Sequence, residues 1–225
     1  MILNNSILLK YRTAIFIVLL LIIYWLFNYN EILCLHPQSY HFWRQTDCLS
    51  ITLNYHKFNL PFWEPELHHF YGNSGKTVGE FPILYYLASQ FYGLFNLTEL
   101  WLRLINLSIF TLGLIYLSKL IFNITKDIIQ SLFGPLLILS STIIIFYANN
   151  FLPDVPSLGL TFIALYYFHK YHIENKTKSL IIASLVVTLA GLIKITALIS
   201  AASIGVIFIY ESIKERKINF KELFL

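Results

Sequence analysis

The stretches of this chain without Asp, Glu, Lys or Arg include 13–30, 104–118, 128–153, 155–168, 179–193 and 195–210. In hydrocarbon, backbone N–H and C=O groups must be satisfied within their own segment, so such stretches are helical. A spanning helix needs roughly 20 apolar residues, and about 17 at the least. The first and third runs meet that length, and the others borrow flanking residues or are shielded by protein. The chain is 57% hydrophobic and 12% charged, with a mean hydropathy of +0.65, against roughly 25% charged in soluble domains. An all-α, polytopic membrane protein is expected. About six transmembrane helices are predicted near 13–30, 101–119, 128–148, 155–171, 178–193 and 195–212, with interfacial helices in a large first outer loop.

The basic residues orient these spans. With Lys10 and Arg12 in the cytoplasm, eleven Lys and Arg fall inside, and five (Arg44, Lys57, Lys76, Arg103 and Lys194) fall outside. That is the positive-inside bias. The net charge of +4 is then an orientation signal and does not indicate a nucleic-acid surface. The first span has no small-residue cleavage site after it, since Tyr29-Asn30-Glu31 follows, and reads as a retained anchor. Cys34 and Cys48 both fall outside, where a disulfide can persist; ordinary apolar packing is the alternative.

The loop at 31–100 holds most of the chemistry. Its two polar-aromatic patches are His41-Phe42-Trp43-Arg44-Gln45-Thr46-Asp47 and Gly79-Glu80-Phe81-Pro82-Ile83-Leu84-Tyr85-Tyr86. Residues 42–56 read as an amphipathic helix, with Trp43, Asp47, Ser50 and Asn54 on one face. Residues 81–97 are apolar enough to imitate a span. Spanning, however, would put Asp154 inside and reverse the charge bias downstream, so an interfacial helix opened by Pro82 is expected. Between them, 59–79 is rich in Pro and Gly and reads as irregular loop. His68 and His69 are adjacent, lack metal-ligand spacing, and read first as interfacial packing. A divalent ion between one of them and Glu64, Glu66 or Glu80 is the alternative, and no other cofactor is indicated.

Four segments form a recognisable series: Glu80-Phe81-Pro82-Ile83-Leu84-Tyr85-Tyr86, Trp101-Leu102-Arg103-Leu104, Asn149-Asn150-Phe151-Leu152-Pro153-Asp154 and Ala190-Gly191-Leu192-Ile193-Lys194. In this order the chain resembles the GT-C-fold glycosyltransferases of the protein-O-mannosyltransferase and aminoarabinose-transferase type (glycosyltransferase family 39-like). The resemblance covers nearly all of 1–225, read as a single membrane domain. It implies inverting transfer of a sugar from a polyprenyl-phosphate carrier to a lipid, glycan or protein acceptor at the outer face of a plasma or bacterial inner membrane. Members are usually longer, so this chain is expected to be an N-terminal half with 213–225 as a cytoplasmic tail. The alternative is a non-catalytic scaffold that binds a lipid-linked sugar or a partner.

The resemblance also implies roles. In the family the first loop usually carries Asp-Glu near the start of its helix. Here Arg44-Gln45 hold those places, and Asp47, three residues on, is the candidate base. The alternative for Asp47 is a solvated surface acid. Glu80 matches the acid before the Pro-x-Leu-Tyr-Tyr helix and is a second catalytic candidate; as a first-turn acid it would also stabilise a helix N-terminus. Arg44, Arg103, Asp154, Lys194, Tyr85 and Tyr86 are candidates for holding donor phosphate or substrate. Asp154 equally suits a helix N-terminus, and Arg103 and Lys194 equally suit snorkelling to headgroups.

Overall fold

The computed structural model describes residues 5–68, 75–77, 79–93 and 98–214. His69, Phe95 and the tail beyond Lys214 lie outside the described residues, so the expectations placed on them have no structural counterpart. Ten α-helices are described. The first group is α1 (Asn5–Leu26), α2 (Tyr29–Ile32), α3 (Phe42–Phe58), α4 (Ile83–Phe91) and α5 (Thr98–Thr125). It is followed by α6 (Ile128–Leu139), α7 (Thr142–Ala148), α8 (Asp154–Glu174), α9 (Thr177–Ile193) and α10 (Leu198–Lys214), with a 3-10 turn over Ile195–Ala197 before the last. The all-α expectation holds among the described residues.

Helix α5 is the central element. α8 runs parallel to it, because Asn106 Nδ2 donates to the carbonyls of Asn150 (3.1 Å) and Leu152 (3.3 Å) at one end and Tyr116 meets Tyr167 at the other. α1 runs the opposite way, with Arg12 stacked on the Phe122 ring at 3.8 Å and Tyr24 OH 2.8 Å from Thr111 Oγ1. α9 is antiparallel to α8, as the bond from Ser157 Oγ to Ala190 O (2.9 Å) shows. Arg12, Lys119, Lys126, Lys170 and Lys176 therefore gather at one end of the bundle, and Glu80, Asp154 and Lys194 at the other. This is the charge separation read from the sequence.

Two apolar clusters hold these helices. One joins α3, α4, α5, α8 and α9 through Tyr85, Leu84, Ala88, Leu102, Phe151 and Ile193. The other joins α1, α5, α6 and α7 through Phe16, Leu20, Phe110, Leu114, Leu136 and Leu139. Each of these side chains is at most 8% exposed. The outward faces are just as apolar: Val18, Leu21, Trp25, Ile129, Leu137 and Ile199 are all more than half exposed. Water would penalise such a surface by about 25 cal/mol per Å2, whereas lipid does not.

Among the described residues, two helices are long and apolar enough to cross a membrane, over Leu9–Leu26 and Glu99–Thr125. The predicted span at 128–148 is broken: α6 and α7 meet at 76° across Ser140 and Ser141, after Pro135 has removed an N–H from the ladder. α9 and α10 have 17 residues each, so about 25 Å at 1.5 Å per residue, short of a hydrocarbon core of about 30 Å. Of the six expected spans, length and composition thus account among the described residues for two full-length helices, or three if the bent pair is one span. In the loop, α3 and α4 appear where interfacial helices were expected, and α4, at nine residues, is too short to span.

The α5–α8 crossing depends on Gly113 facing Gly159. A Cβ added at Gly159 would lie 2.8 Å from Phe110 Cα, and one added at Gly113 would overlap the Gly159 backbone. Small residues let helix backbones approach this closely in a membrane. Gly159→Leu is expected to force α5 and α8 apart and cost about 1–3 kcal/mol, as overpacking does. The check is a lowered thermal unfolding midpoint in detergent, with Leu160→Ile on the same helix as the control.

Candidate functional site

At the acidic-and-basic end of the bundle, α3, the segment entering α4, and the α9–α10 corner enclose a cavity of ≈ 770 Å3. Its charged lining is Arg44 and Asp47 from α3, Glu80 from the loop, and Lys194 from the corner. Ile51, Leu67, Leu192, Ile195 and Leu198 supply apolar wall.

Local structure explains how each group arrives. His41, at φ 56°, turns the chain into α3, and Gln45 fixes that turn by donating from Nε2 to the carbonyls of Gln38 and Tyr40, both at 2.8 Å. Arg44 and Asp47, three residues apart, then lie on one side of the helix. Glu80 is positioned by Phe81, whose N–H reaches Leu192 O at 3.3 Å, joining the loop to the end of α9. Lys194 is the extended residue after α9 (φ −149°, ψ 116°), a corner between two helices as the sequence suggested.

Glu80 is the hub. Its Oε1 receives Arg44 Nη2 at 2.6 Å and Lys194 Nζ at 2.9 Å, and its Oε2 accepts from Tyr85 OH at 3.1 Å. Lys194 Nζ also lies 3.3 Å from Asp154 Oδ1. Two cations on one carboxylate form a charge-assisted set suited to holding anionic oxygen, and they also disfavour a divalent cation on Glu80. Among the described residues no three His, Cys, Asp or Glu side chains converge on a metal-sized site. Glu64, another member of the metal alternative, is bonded to Lys76 at 2.7 Å.

Tyr85 lies at the back of the cavity. Burial, and then the neighbouring Cys48 and Glu80, push its phenol well above its ordinary pKa, so it stays protonated and donates to Glu80. Its oxygen then accepts from the Cys48 thiol, 3.2 Å away. Cys48 is itself pushed up to about 12, chiefly by burial. The reading of residues singly missed Cys48 as a member of this relay; its position next to Asp47 was the available signal. It also missed the apolar wall at Leu192, Ile195 and Leu198.

Three candidates lie elsewhere. Asp154, in the first turn of α8, lines a neighbouring cavity of ≈ 410 Å3 that shares Arg44 with the first. Tyr86 points into an aromatic cluster, edge-on to Tyr55 (5.3 Å) and Phe62 (5.2 Å). Arg103 is 3% exposed, stacks on Phe151 at 4.2 Å, and donates to the carbonyls of Ile32 and His36. It lines a third cavity. That cavity is separate from the one lined by Glu80 and Lys194, and burial and carbonyl acceptors hold the guanidinium inward. Cys34 and Cys48 are free thiols, one exposed and one buried, so of the two readings of the pair it is apolar packing that Cys48 shows.

The architecture is that of an α-helical membrane protein with a charged cavity between α3, the segment entering α4 and the α9–α10 corner. Residues 79–225, well over half of the chain, match the family described as dolichyl-phosphate-mannose-protein mannosyltransferase, and the chain belongs to that family. It is a family of membrane glycosyltransferases of the GT-C type. The match includes Glu80, Tyr85, Asp154 and Lys194 and begins after the helix that carries Arg44 and Asp47. No curated protein and no solved structure matches the chain.

The thiols offer a direct check of the cavity. A thiol whose pKa is raised stays protonated, and therefore unreactive, until the pH approaches that value. A maleimide at pH 7.5 is expected to label Cys34 within minutes and Cys48 at least about 100-fold more slowly until the protein is denatured. Comparable rates at both, measured by mass spectrometry, would contradict the buried Tyr85–Cys48 contact.

Proposed function

We propose that this chain carries an inverting glycosyl transfer from a polyprenyl-phosphate-linked sugar to an acceptor hydroxyl at the outer face of the membrane. The observation that carries the reading is the convergence of Asp47, Arg44, Glu80 and Lys194 on one open cavity with an apolar flank. In the proposed layout α1, α5, the bent α6–α7 pair, α8, α9 and α10 make six membrane passages of a single GT-C-like domain. The shorter helices in that layout are shielded by their neighbours.

In this reading Asp47 is the base. Its carboxylate takes the proton of the acceptor hydroxyl while the oxygen lone pair forms the new bond to the anomeric carbon. The bond from that carbon to the phosphate oxygen breaks on the opposite face, so the configuration inverts, and the electron pair leaves on phosphate. A phosphate needs no protonation to depart, in contrast to the leaving group of a glycosidase pair, but its growing charge needs cations. Lys194 and Arg44 supply them. Glu80, bonded to both, is a positioning residue that keeps two mutually repelling cations together. Tyr85 holds Glu80 from behind. The apolar side at Leu192, Ile195 and Leu198 is where a polyprenyl chain would leave the cavity toward lipid. The sugar and the acceptor are not assigned.

The test is transfer from a panel of polyprenyl-phosphate-linked hexoses and pentoses by protein in lipid nanodiscs. Asp47→Asn is expected to lower kcat at least about 100-fold, within the range for loss of a general base, with KM for the donor little changed. Lys194→Gln is expected to lower kcat/KM by about 100-fold, the scale of losing one charge-stabilising contact. Glu80→Gln should raise the donor KM by about tenfold and reduce kcat less than Asp47→Asn does. Full turnover by Asp47→Asn would remove the base. Failure of wild type to consume any lipid-linked sugar would remove the enzyme reading in favour of a binding scaffold.

A further inference from the structure

The cavity lined by Arg103 lies apart from the charged site and has a different chemistry. It measures ≈ 290 Å3, and its charged lining is one cation with no acid. The floor is polar and buried: Arg103 is 3% exposed, Asn149 4% and Gln45 1%. The rim is apolar, formed by Phe27, Ile32, Leu35, Ile145 and Phe146, and Phe27 and Leu35 are exposed. It lies just beyond Leu26, where the α1 span ends.

Two of the lining residues each keep one buried polar atom without a hydrogen-bond partner among the described residues, Arg103 Nε and Asn149 Oδ1. The other groups of both side chains are taken: Arg103 Nη1 and Nη2 donate to Ile32 O and His36 O, and Asn149 Nδ2 donates to Tyr29 O at 3.3 Å. The carboxylate of Glu99, one turn before Arg103, bonds His36 Nδ1 through Oε1 at 2.7 Å, and its charge also favours the Arg103 cation without a direct ion pair between the two. A buried cation without a bonded anion is costly, and an unpaired buried acceptor costs about 1–3 kcal/mol more. One ligand relieves both if it brings an anionic oxygen to Nε and a hydroxyl hydrogen to Oδ1. The depth of the site and its apolar rim suit such a ligand attached to acyl chains.

We propose that this cavity binds the headgroup of an anionic phospholipid that carries a hydroxyl, its phosphate on Arg103 and its hydroxyl on Asn149, with the acyl chains passing between Phe27, Leu35 and Phe146. The same chemistry could come from a water-soluble phosphate ester, and the experiment separates the two sources. Purified full-length protein is mixed with phosphatidylglycerol or phosphatidylcholine in detergent, and lipid retention is read by native mass spectrometry, with glycerol 3-phosphate as the soluble competitor. Wild type is expected to retain phosphatidylglycerol about tenfold over phosphatidylcholine, unmoved by glycerol 3-phosphate at equal concentration. Arg103→Gln should bring the two lipids within about twofold. Because Arg103 also holds two backbone carbonyls, Gln38→Glu is the companion variant. It places a carboxylate at the cavity and leaves the Gln38 carbonyl available to Gln45, and it too should abolish the preference. Equal retention of the two lipids by wild type, an undiminished preference in Gln38→Glu, or displacement by glycerol 3-phosphate would each overturn the lipid assignment.

Discussion

One carboxylate holds the functional end of this molecule together. Glu80 is bonded to Arg44, 36 residues earlier, and to Lys194, 114 residues later. Through Lys194 the network reaches Asp154 at the head of α8. Lys194 is only 16% exposed at its side chain and Glu80 26%, so neither can rely on water to screen its charge. Without Glu80 the loop helix and the α9 corner would present two cations to each other across a half-buried gap, and a half-buried cation that loses its partner is expensive. The loop is therefore tied to the membrane helices at the point where the chemistry is proposed to occur.

The bundle beneath this cluster is built so that its position is reproducible. α5 is the helix against which α1, α4, α6 and α8 all pack. The Gly113–Gly159 contact fixes how closely α8 approaches, and hence how far Asp154 stands from the loop. Asn106, fully buried, joins α5 to the segment that leads into α8 through the carbonyls of Asn150 and Leu152. Apolar packing alone would let parallel helices slide; a buried amide with two carbonyl acceptors sets one register.

Much of the scaffold was legible in the sequence because composition and periodicity are local properties. The runs at 13–30 and 104–118 became α1 and α5, and the spacing of Trp43, Asp47, Ser50 and Asn54 anticipated α3. The corner at Lys194 was also readable, since a charge between two apolar helices has few other places to be. What stayed hidden depends on partners distant in sequence. Nothing near Glu80 announces that Arg44 and Lys194 share its Oε1. The surroundings of Arg103 were hidden too, because a cation at a helix start looks the same in sequence whether it snorkels outward or is drawn in by Ile32 O, His36 O and the Phe151 ring. The break at Ser140–Ser141 was masked by the apolar residues on both sides of it, which preserve hydropathy while the axis turns.

Helix α3 starts after His41 and ends at Asn59, and both residues are in left-handed backbone conformation (φ 56° and 47°). Such residues reverse the chain within a single step, so α3 is a short rod set between two abrupt corners. It carries Asp47, yet it precedes the segment that matches the family. The site is therefore divided between two pieces of chain: the rod brings Asp47 and Arg44, and the family segment brings Glu80 and Lys194. A change that re-aims the rod would move the proposed base and one of the two cations together, while the Glu80–Lys194 pair stays where it is.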